Sequence, residues 1–198
     1  MLEAMPPGQR LFVLLIAVTG MRVGEALALR WTDFVSARSG IRVNHTLYRD
    51  TLKQPKTESS RRTIRLAASV TQQLASHRAQ SSFQAEEDFI FSRPDGRHLD
   101  DKAVRRSLYR AMKQAEIHRT SGKHGFHIFR HSAGTLLYSR SRDLKLVQGM
   151  LGHADISITS DIYVHLEDRV KAEGTELLAE EILGNCDQIV TQSSRMVS

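Results

Sequence analysis

The residues best suited to chemistry lie between positions 127 and 163. This stretch holds the pentapeptide His-Ile-Phe-Arg-His at 127–131, the tripeptide Leu-Gly-His at 151–153 and a tyrosine at 163. Polar side chains in an otherwise apolar, helical segment cost free energy unless they find partners, so this set suggests a site. Arg130 could clamp a phosphate, and Tyr163 could supply a nucleophilic hydroxyl. His127 and His153 could transfer protons or donate hydrogen bonds.

A second candidate arginine lies where an N-terminal helical pattern breaks. Apolar residues recur at helical spacing over residues 9–18, which predicts a buried helix that ends at Thr19-Gly20. A second helix is predicted from about 22 to 29, so Arg22 falls at the turn between two packed helices. Glu25 lies three residues on, on the same face, and could orient or neutralise it. On these residues alone, an ordinary surface ion pair is the favoured interpretation.

From residue 41 the pattern changes from helical to extended. Residues 41–48 predict one strand and residues 63–66 another, which together indicate a small antiparallel sheet. The connecting segment, residues 49–62, is predicted to be a hairpin with exposed cations. These cations are Lys53, Lys56, Arg61 and Arg62. They could contact DNA, but an ordinary solvated loop explains them equally well.

The rest of the chain is predicted to be mainly helical. A short strand is expected at 88–91 and a turn at 93–96, and Asp100 is a plausible N-cap. Residues 185–198 are polar and are expected to be disordered. The predicted fold class is α+β, mainly α-helical, with a small antiparallel β-sheet. Helices are predicted over residues 68–79, 101–117, 126–139, 143–150, 155–163 and 168–183.

Composition excludes several classes of protein. The longest apolar run is the eight residues Leu11–Val18, which is too short to span a bilayer, and residues 1–9 do not resemble a signal peptide. A single cysteine, Cys186, excludes an intramolecular disulfide and a Cys-rich zinc site. A cytoplasmic protein without membrane segments is the simplest interpretation.

Charge is unevenly distributed along the 198 residues. The chain has 28 Lys and Arg against 22 Asp and Glu, a net charge of +6. Residues 166–198 hold three of the basic and seven of the acidic residues, which leaves +10 on residues 1–165. A basic body with an acidic C-terminal segment suits a polyanion-binding surface. A basic surface without a ligand fits the charge alone equally well.

Five stretches together resemble the catalytic domain of the tyrosine recombinases, the phage integrase family. They occur in the family's order and span residues 19–165, and the set is specific although each stretch alone is a weak signal. The stretches are T-G-M-R-V-G-E-A-L-A-L-R-W at 19–31, K-T-E-S-S-R-R-T-I-R-L at 56–66, H-I-F-R-H at 127–131, L-G-H at 151–153 and T-S-D-I-Y-V-H at 159–165. The resemblance implies a catalytic domain over residues 1–184, followed by the tail at 185–198.

The resemblance also implies a role for each matching residue. Tyr163 would attack the scissile phosphate and leave a 3′-phosphotyrosine and a free 5′-hydroxyl. Arg22 and Arg130 would hold the non-bridging oxygens, where preorganised donors stabilise the transition state. Lys56 would protonate the departing 5′-oxygen, with Lys53 as the competing lysine.

The remaining matches would support this chemistry. His127 would assist proton transfer with Tyr163, and His153 would donate a hydrogen bond to the phosphate. Glu25 would support the site, and His131 is expected to be a packing or hydrogen-bonding neighbour. Lys53, Arg61 and Arg62 are expected to contact DNA. The family requires no cofactor, metal or ATP, and its members assemble as tetramers on double-stranded DNA.

Several alternatives remain beside this interpretation. His127 and His131 have the spacing of a zinc-binding helix, but Ile128 lies where a metalloprotease needs glutamate, and Arg130 would repel a cation. A type IB topoisomerase-like nicking and rejoining enzyme would use similar chemistry, and a non-catalytic DNA-binding remnant is a third possibility. The N-terminal core-binding domain of the family is expected to be absent, because about twenty residues precede Arg22. The chain would then be an isolated domain, a truncated product or a minimal member.

Overall fold

Helix α1 spans Pro7–Thr19 in the computed structural model, which describes residues 2–54, 61–117 and 125–152. Pro7 occupies the first helical position, where its missing N–H has no intrahelical partner to lose. Gly20 ends the helix in the left-handed conformation, with φ of 64°, and its N–H donates to the Ile16 carbonyl at 2.9 Å. The predicted helix and its end are confirmed, with a start two residues earlier than expected.

Helix α2 spans Val23–Leu27 and is shorter than predicted. The backbone beyond it pairs with a distant segment instead of continuing the helix. The Ile90 N–H donates to the Leu29 carbonyl at 2.9 Å, and the Trp31 N–H donates to the Asp88 carbonyl at 3.1 Å. Residues 88–91 therefore form a single antiparallel bridge to Arg30 rather than the predicted strand.

The predicted small antiparallel sheet is confirmed. Strands β1 (Phe34–Val35), β2 (Gly40–Val43) and β5 (Arg62–Arg65) lie in the order β1-β2-β5, and Ile41 of β2 faces Ile64 of β5. Strands β3 (Thr46–Tyr48) and β4 (Thr51–Lys53) form a separate two-stranded hairpin. The expectation of one strand over 41–48 is wrong, because the chain leaves the first sheet after Val43.

The turn of the β3–β4 hairpin explains this second sheet. Arg49 and Asp50 have φ of 49° and 60°. Two consecutive left-handed residues form the tight turn whose twist matches that of the flanking strands. Between the two sheets, the Asn44 side chain donates to the Asp33 carboxylate at 3.0 Å, directly after β2 ends at Val43.

Four further α-helices lie in the described residues, and they confirm the predicted α+β class. The Asp100 side chain accepts a hydrogen bond from the Lys102 N–H at 2.9 Å, and Asp143 accepts one from Leu146 at 2.9 Å, so both are N-caps. The helix after Asp100 ends three residues earlier than predicted. The helices are α3 (Ala68–Gln80), α4 (Asp101–Gln114), α5 (His127–Ser141) and α6 (Leu144–Leu151).

The core lies around α1, whose fully buried Phe12 makes edge-to-face contacts with Phe91 at 5.2 Å and Phe126 at 5.9 Å. Phe126 immediately precedes α5, so this contact fixes the start of α5 against α1. Trp31 is also buried, and its indole N–H donates to the Phe83 carbonyl at 2.9 Å. These contacts pack the middle of α1 against the start of α5 and against residues 83–91, and so support the elements that carry the candidate site.

Within the described residues, no helix combines the length and apolar character that crossing a bilayer requires. The predicted helices at 155–163 and 168–183, and the predicted tail at 185–198, lie outside the described ranges.

Candidate active site

Glu25 is a buried carboxylate that binds two arginines. Its side chain is 4% exposed. Oε1 accepts from Arg22 Nη1 at 2.8 Å, and Oε2 accepts from Arg62 Nη2 at 2.9 Å. Oε2 also accepts from the Arg22 backbone N–H at 2.8 Å, so the carboxylate caps the first turn of α2. The pair at Arg22 and Glu25 is therefore part of an internal network and not the surface pair that the residues alone favoured.

The network keeps Glu25 ionised. Burial by itself raises the pKa of Glu25, but the hydrogen bonds and charge of Arg62, followed by the hydrogen bonds from Arg22, hold the pKa below its ordinary value. A charged Glu25 in turn orients both guanidinium groups, because charge-assisted hydrogen bonds are stronger than neutral ones.

Arg22 is the half-exposed member of this network. It lies just before α2 with extended backbone, φ of −70° and ψ of 147°, and its side chain is 40% exposed. Glu25 binds one edge of the guanidinium, through Nη1. The planar group has five N–H donors, so it can bind a phosphate while Glu25 holds its orientation.

Arg130 is the buried arginine of the site, with 7% of its surface exposed. Nη1 donates to the Gly20 carbonyl at 2.7 Å, and Nη2 donates to the Leu151 carbonyl at 2.8 Å. Both carbonyls lie at C-terminal helix ends, where they lack intrahelical partners and carry the negative end of the helix dipole. Arg130 of α5 therefore joins the ends of α1 and α6, and Gly20 is only two residues from Arg22.

Arg62 is placed differently from the prediction. Its side chain is 7% exposed, and besides Glu25 it contacts the Met150 carbonyl, which accepts from Nε at 2.8 Å. The expectation that the Arg62 side chain is exposed is wrong, and its contact with DNA stays a prediction. Side chains alternate along a strand, and Ile64 of β5 is buried, so Arg62 shares its inward face. That alternation was the signal for an internal arginine.

Lys53 and Arg61 have the exposed positions that the sequence predicted. The Lys53 ammonium lies 5.1 Å from the centroid of the Tyr48 ring, and Arg61 donates to the Gln54 side chain at 3.0 Å. Both flank the segment that contains Lys56. Contact with DNA remains a prediction for these two residues.

The two histidines of the pentapeptide are both exposed on α5. His127 is the first residue of that helix, in the same turn as Arg130, and His131 follows Arg130 directly. Among the residues that the structure describes, no three His, Cys, Asp or Glu side chains are grouped so as to hold a metal ion. Lys56, His153 and Tyr163 lie outside the described ranges, so their roles stay predictions.

The described geometry thus brings Arg22, Glu25, Arg62 and Arg130 together at the ends of α1, α2 and α6. A family model for the phage integrase family matches residues 3–169 of this sequence. The chain belongs to the phage integrase family. The predicted resemblance to this family is confirmed.

Individual members of the phage integrase family agree with this assignment. The chain is 28% identical to a XerC-like tyrosine recombinase of Caldanaerobacter subterraneus, over 86% of this chain and 49% of that protein. It is 30% identical to tyrosine recombinase XerH of Helicobacter pylori, over 86% of this chain and 44% of that protein. The chain therefore spans about half the length of these curated relatives.

A solved structure of a family member shares the fold. It is XerH bound to a palindromic difH substrate in a post-cleavage complex. The TM-score is 0.63 and the identity is 28%, over 87% of this chain and 46% of the XerH chain. The described helices and the small sheet are thus those of a phage integrase family catalytic domain.

Proposed function

We propose that this chain is the catalytic domain of a site-specific recombinase that cleaves and rejoins DNA strands through a 3′-phosphotyrosine intermediate. The observation that carries the proposal is the coupling of Arg22 and Arg130 through Gly20. Arg130 binds the Gly20 carbonyl at 2.7 Å, and Glu25 fixes Arg22 two residues further on. Membership of the phage integrase family and the recombinase names of the relatives support it.

In the proposed cleavage step, the Tyr163 oxygen attacks the scissile phosphorus. The bond between phosphorus and the 5′-oxygen breaks while the bond to the tyrosine oxygen forms. His127 accepts the phenolic proton, and Lys56 donates a proton to the departing 5′-oxygen. Arg22 and Arg130 stabilise the negative charge on the non-bridging oxygens, and His153 donates a further hydrogen bond to them.

Rejoining reverses the cleavage step. A 5′-hydroxyl from another strand attacks the phosphotyrosine and releases Tyr163. The phosphodiester bond energy is conserved in the intermediate, so the cycle requires no ATP, and the arginines and histidines take the place of a metal. The roles of Glu25 and His131 are supporting, and Lys53 and Arg61 contact the DNA backbone.

The proposed partner is double-stranded DNA, and we assign the catalytic domain to residues 1–184. XerH, a relative with the same fold, was solved bound to a difH substrate. Exchange between two duplexes needs four active tyrosines, one for each strand cut, so a tetramer on paired sites is the proposed assembly. We also propose a cytoplasmic location, which is consistent with action on DNA. A topoisomerase-like enzyme would relax DNA as a monomer instead.

A nicked-duplex library with a randomised core tests the proposal and finds the target site in the same experiment. The nick lies close to the expected cleavage position, so cleavage releases a short fragment and traps the protein on DNA. Wild-type protein is expected to form adducts that survive denaturing electrophoresis, and sequencing the trapped DNA gives the target. If the protein binds duplexes from the library but forms no covalent adduct with any of them, the proposal is contradicted. That result would favour a non-catalytic DNA-binding domain.

A further inference from the structure

We propose that Arg62 is a positioning residue, which orients Arg22 through Glu25 and holds the C-terminal end of α6 with the same side chain. The inference rests on the proposed function, because orienting Arg22 affects cleavage only if Arg22 binds the scissile phosphate. It assigns to Arg62 a role distinct from the DNA contact that the sequence suggested.

The first contact of Arg62 completes the coordination of Glu25. Arg62 Nη2 lies 2.9 Å from Oε2, and Nη1 lies 3.4 Å from Oε1, so the guanidinium faces both carboxylate oxygens. Arg22 approaches the same carboxylate from its own backbone N–H and from Nη1, each at 2.8 Å. The Glu25 carboxylate is thus held between two arginines, and its orientation sets that of Arg22.

The burial of the three side chains shows which arginine controls the arrangement. The side chains of Glu25 and Arg62 are 4% and 7% exposed, whereas that of Arg22 is 40% exposed. Solvent screens the interaction of Arg22 with Glu25 and competes for its hydrogen bonds. The interaction of Arg62 with Glu25 is shielded, so Arg62 dominates the position of the carboxylate.

The second contact of Arg62 reaches α6. Nε donates to the Met150 carbonyl at 2.8 Å, across 88 residues of sequence. Gly152, the residue that ends α6, has φ of 67°, and a Cβ atom there would lie 2.7 Å from Arg62 Nη1. Glycine at 152 therefore serves both the left-handed turn and the close approach of Arg62. His153 follows that turn directly in the sequence.

The charged groups around Glu25 are few among the described residues. Arg22 precedes its own helix, and Arg62 reaches it from β5. Among the described elements, α1 and β3 make the main further contacts with α2, and their titratable side chains are Arg10 and Tyr48. Neither is a partner of Glu25 in the described hydrogen bonds or ion pairs. Loss of Arg62 would therefore leave Glu25 with the half-exposed Arg22 and its own burial.

Two variants separate the charge of Arg62 from its forked geometry. Arg62→Gln removes the charge, and Arg62→Lys keeps the charge but cannot bind Glu25 and Met150 together. Arg65→Gln is the matched control, because Arg65 lies on the same strand with an exposed side chain that donates to the Arg38 carbonyl. Urea denaturation confirms that each protein is folded at the pH of measurement.

The first readout is the titration of the Glu25 carboxyl carbon by NMR, assigned with Glu25→Gln. The pKa of Glu25 is expected to rise in Arg62→Gln and to stay lowered in Arg62→Lys and Arg65→Gln. The second readout is the rate of adduct formation on the trapped duplex from the library, measured against pH. Arg62→Gln is expected to be up to about 10²-fold slower at pH 7 and to lose further activity as pH falls.

The conservative variant distinguishes positioning from simple structural support. Arg62→Lys is expected to keep the wild-type pH profile at a rate between those of wild type and Arg62→Gln. A folded Arg62→Gln whose Glu25 pKa matches wild type would overturn the proposal, as would a folded Arg62→Lys with the wild-type rate. If Arg62→Gln does not fold, Arg62→Lys alone decides by its rate. Absence of any wild-type adduct would instead refute the proposed function, while the NMR titration would still test the Glu25 contact.

Discussion

Arg130 donates to the Gly20 carbonyl at 2.7 Å across 110 residues of sequence, and Gly20 ends the helix that delivers the chain to Arg22. One hydrogen bond thus links the two arginines proposed to bind the scissile phosphate. The link passes through backbone, which cannot rotate away as a side chain can. The packing of α1 against α5 therefore fixes Arg130 relative to the backbone just before Arg22, and Glu25 orients the Arg22 side chain.

Gly20→Ala should destabilise the protein. Gly20 has φ of 64°, and an added Cβ would lie 2.5 Å from Leu151 Cδ2 in the core. Left-handed strain and overpacking together predict a loss of about 2 to 3 kcal/mol in the free energy of unfolding, measured with urea. The control is Gly149→Ala on α6, where a Cβ would meet nothing within 4 Å, and which should stabilise by about 0.5 to 1 kcal/mol. Equal stability of the two variants would contradict the prediction.

Arg130→Lys should impair cleavage strongly even though the charge is kept. A lysine ammonium cannot reproduce the fork that reaches the Gly20 and Leu151 carbonyls and still face a phosphate. The rate of adduct formation is expected to fall by about 10²- to 10³-fold, the usual effect of removing one oxyanion donor. Arg140→Lys, an exposed change on the same helix, should react at the wild-type rate. A wild-type rate for Arg130→Lys would remove Arg130 from the phosphate site.

Glu25 should stabilise the protein in a pH-dependent manner. Its pKa in the folded state lies below the ordinary value of 4.5, so its contribution is complete above pH 4.5 and is lost as pH falls through the folded pKa. Glu25→Gln leaves two arginines without their carboxylate, and about 3 to 5 kcal/mol should be lost at pH 7. The difference from wild type, measured with urea, should shrink below pH 4.5.

The exposed carboxylate Asp95 provides the control for Glu25. It pairs with Arg97 at 2.7 Å, and that hydrogen bond likewise lowers the pKa of Asp95, but the side chain is exposed on the surface. Asp95→Asn should therefore change the free energy of unfolding little at any pH. A Glu25→Gln difference that stays constant between pH 7 and pH 3 would show that Glu25 is not the titrating group.

Tyr163→Phe should abolish the covalent adduct while DNA binding is retained. The substitution removes only the hydroxyl, which is the proposed nucleophile. Adduct yield on the trapped duplex and affinity by fluorescence anisotropy are the measurements. Tyr109→Phe on α4 is the matched control and should form adduct normally. Adduct at wild-type yield from Tyr163→Phe would assign the nucleophile to another residue.

Lys56→Ala should slow cleavage by about 10²- to 10⁴-fold, the usual effect of losing one general acid. A substrate with sulfur in place of the 5′-bridging oxygen should restore the rate, because a thiolate leaves without a proton. Lys53→Ala, three residues earlier in the sequence, should weaken DNA binding without a defect that sulfur rescues. The opposite pattern, with rescue only for Lys53→Ala, would transfer the general acid role to Lys53.

The sequence by itself determined the local features of this protein. The helix over 9–18 followed from apolar periodicity, and its end followed from Gly20, because glycine adopts the left-handed C-cap conformation without steric strain. Asp100 predicted a helix start because a short carboxylate side chain can cap its own backbone two or three residues on. The motifs also indicated the phage integrase family, because a motif is defined by residue types and their order, and the sequence contains both directly.

Only the tertiary structure decided which groups meet across the chain. The backbone of Leu29 and Trp31 pairs with residues 88–90, and this ended α2 earlier than its own propensity indicated. Arg62 looked like one more cation of a basic loop, yet it lies against Glu25 and Met150. Such pairings depend on how helices and strands pack over 37 to 88 residues of separation. Helical periodicity and capping act over a few residues, so they carry no information about partners at that distance.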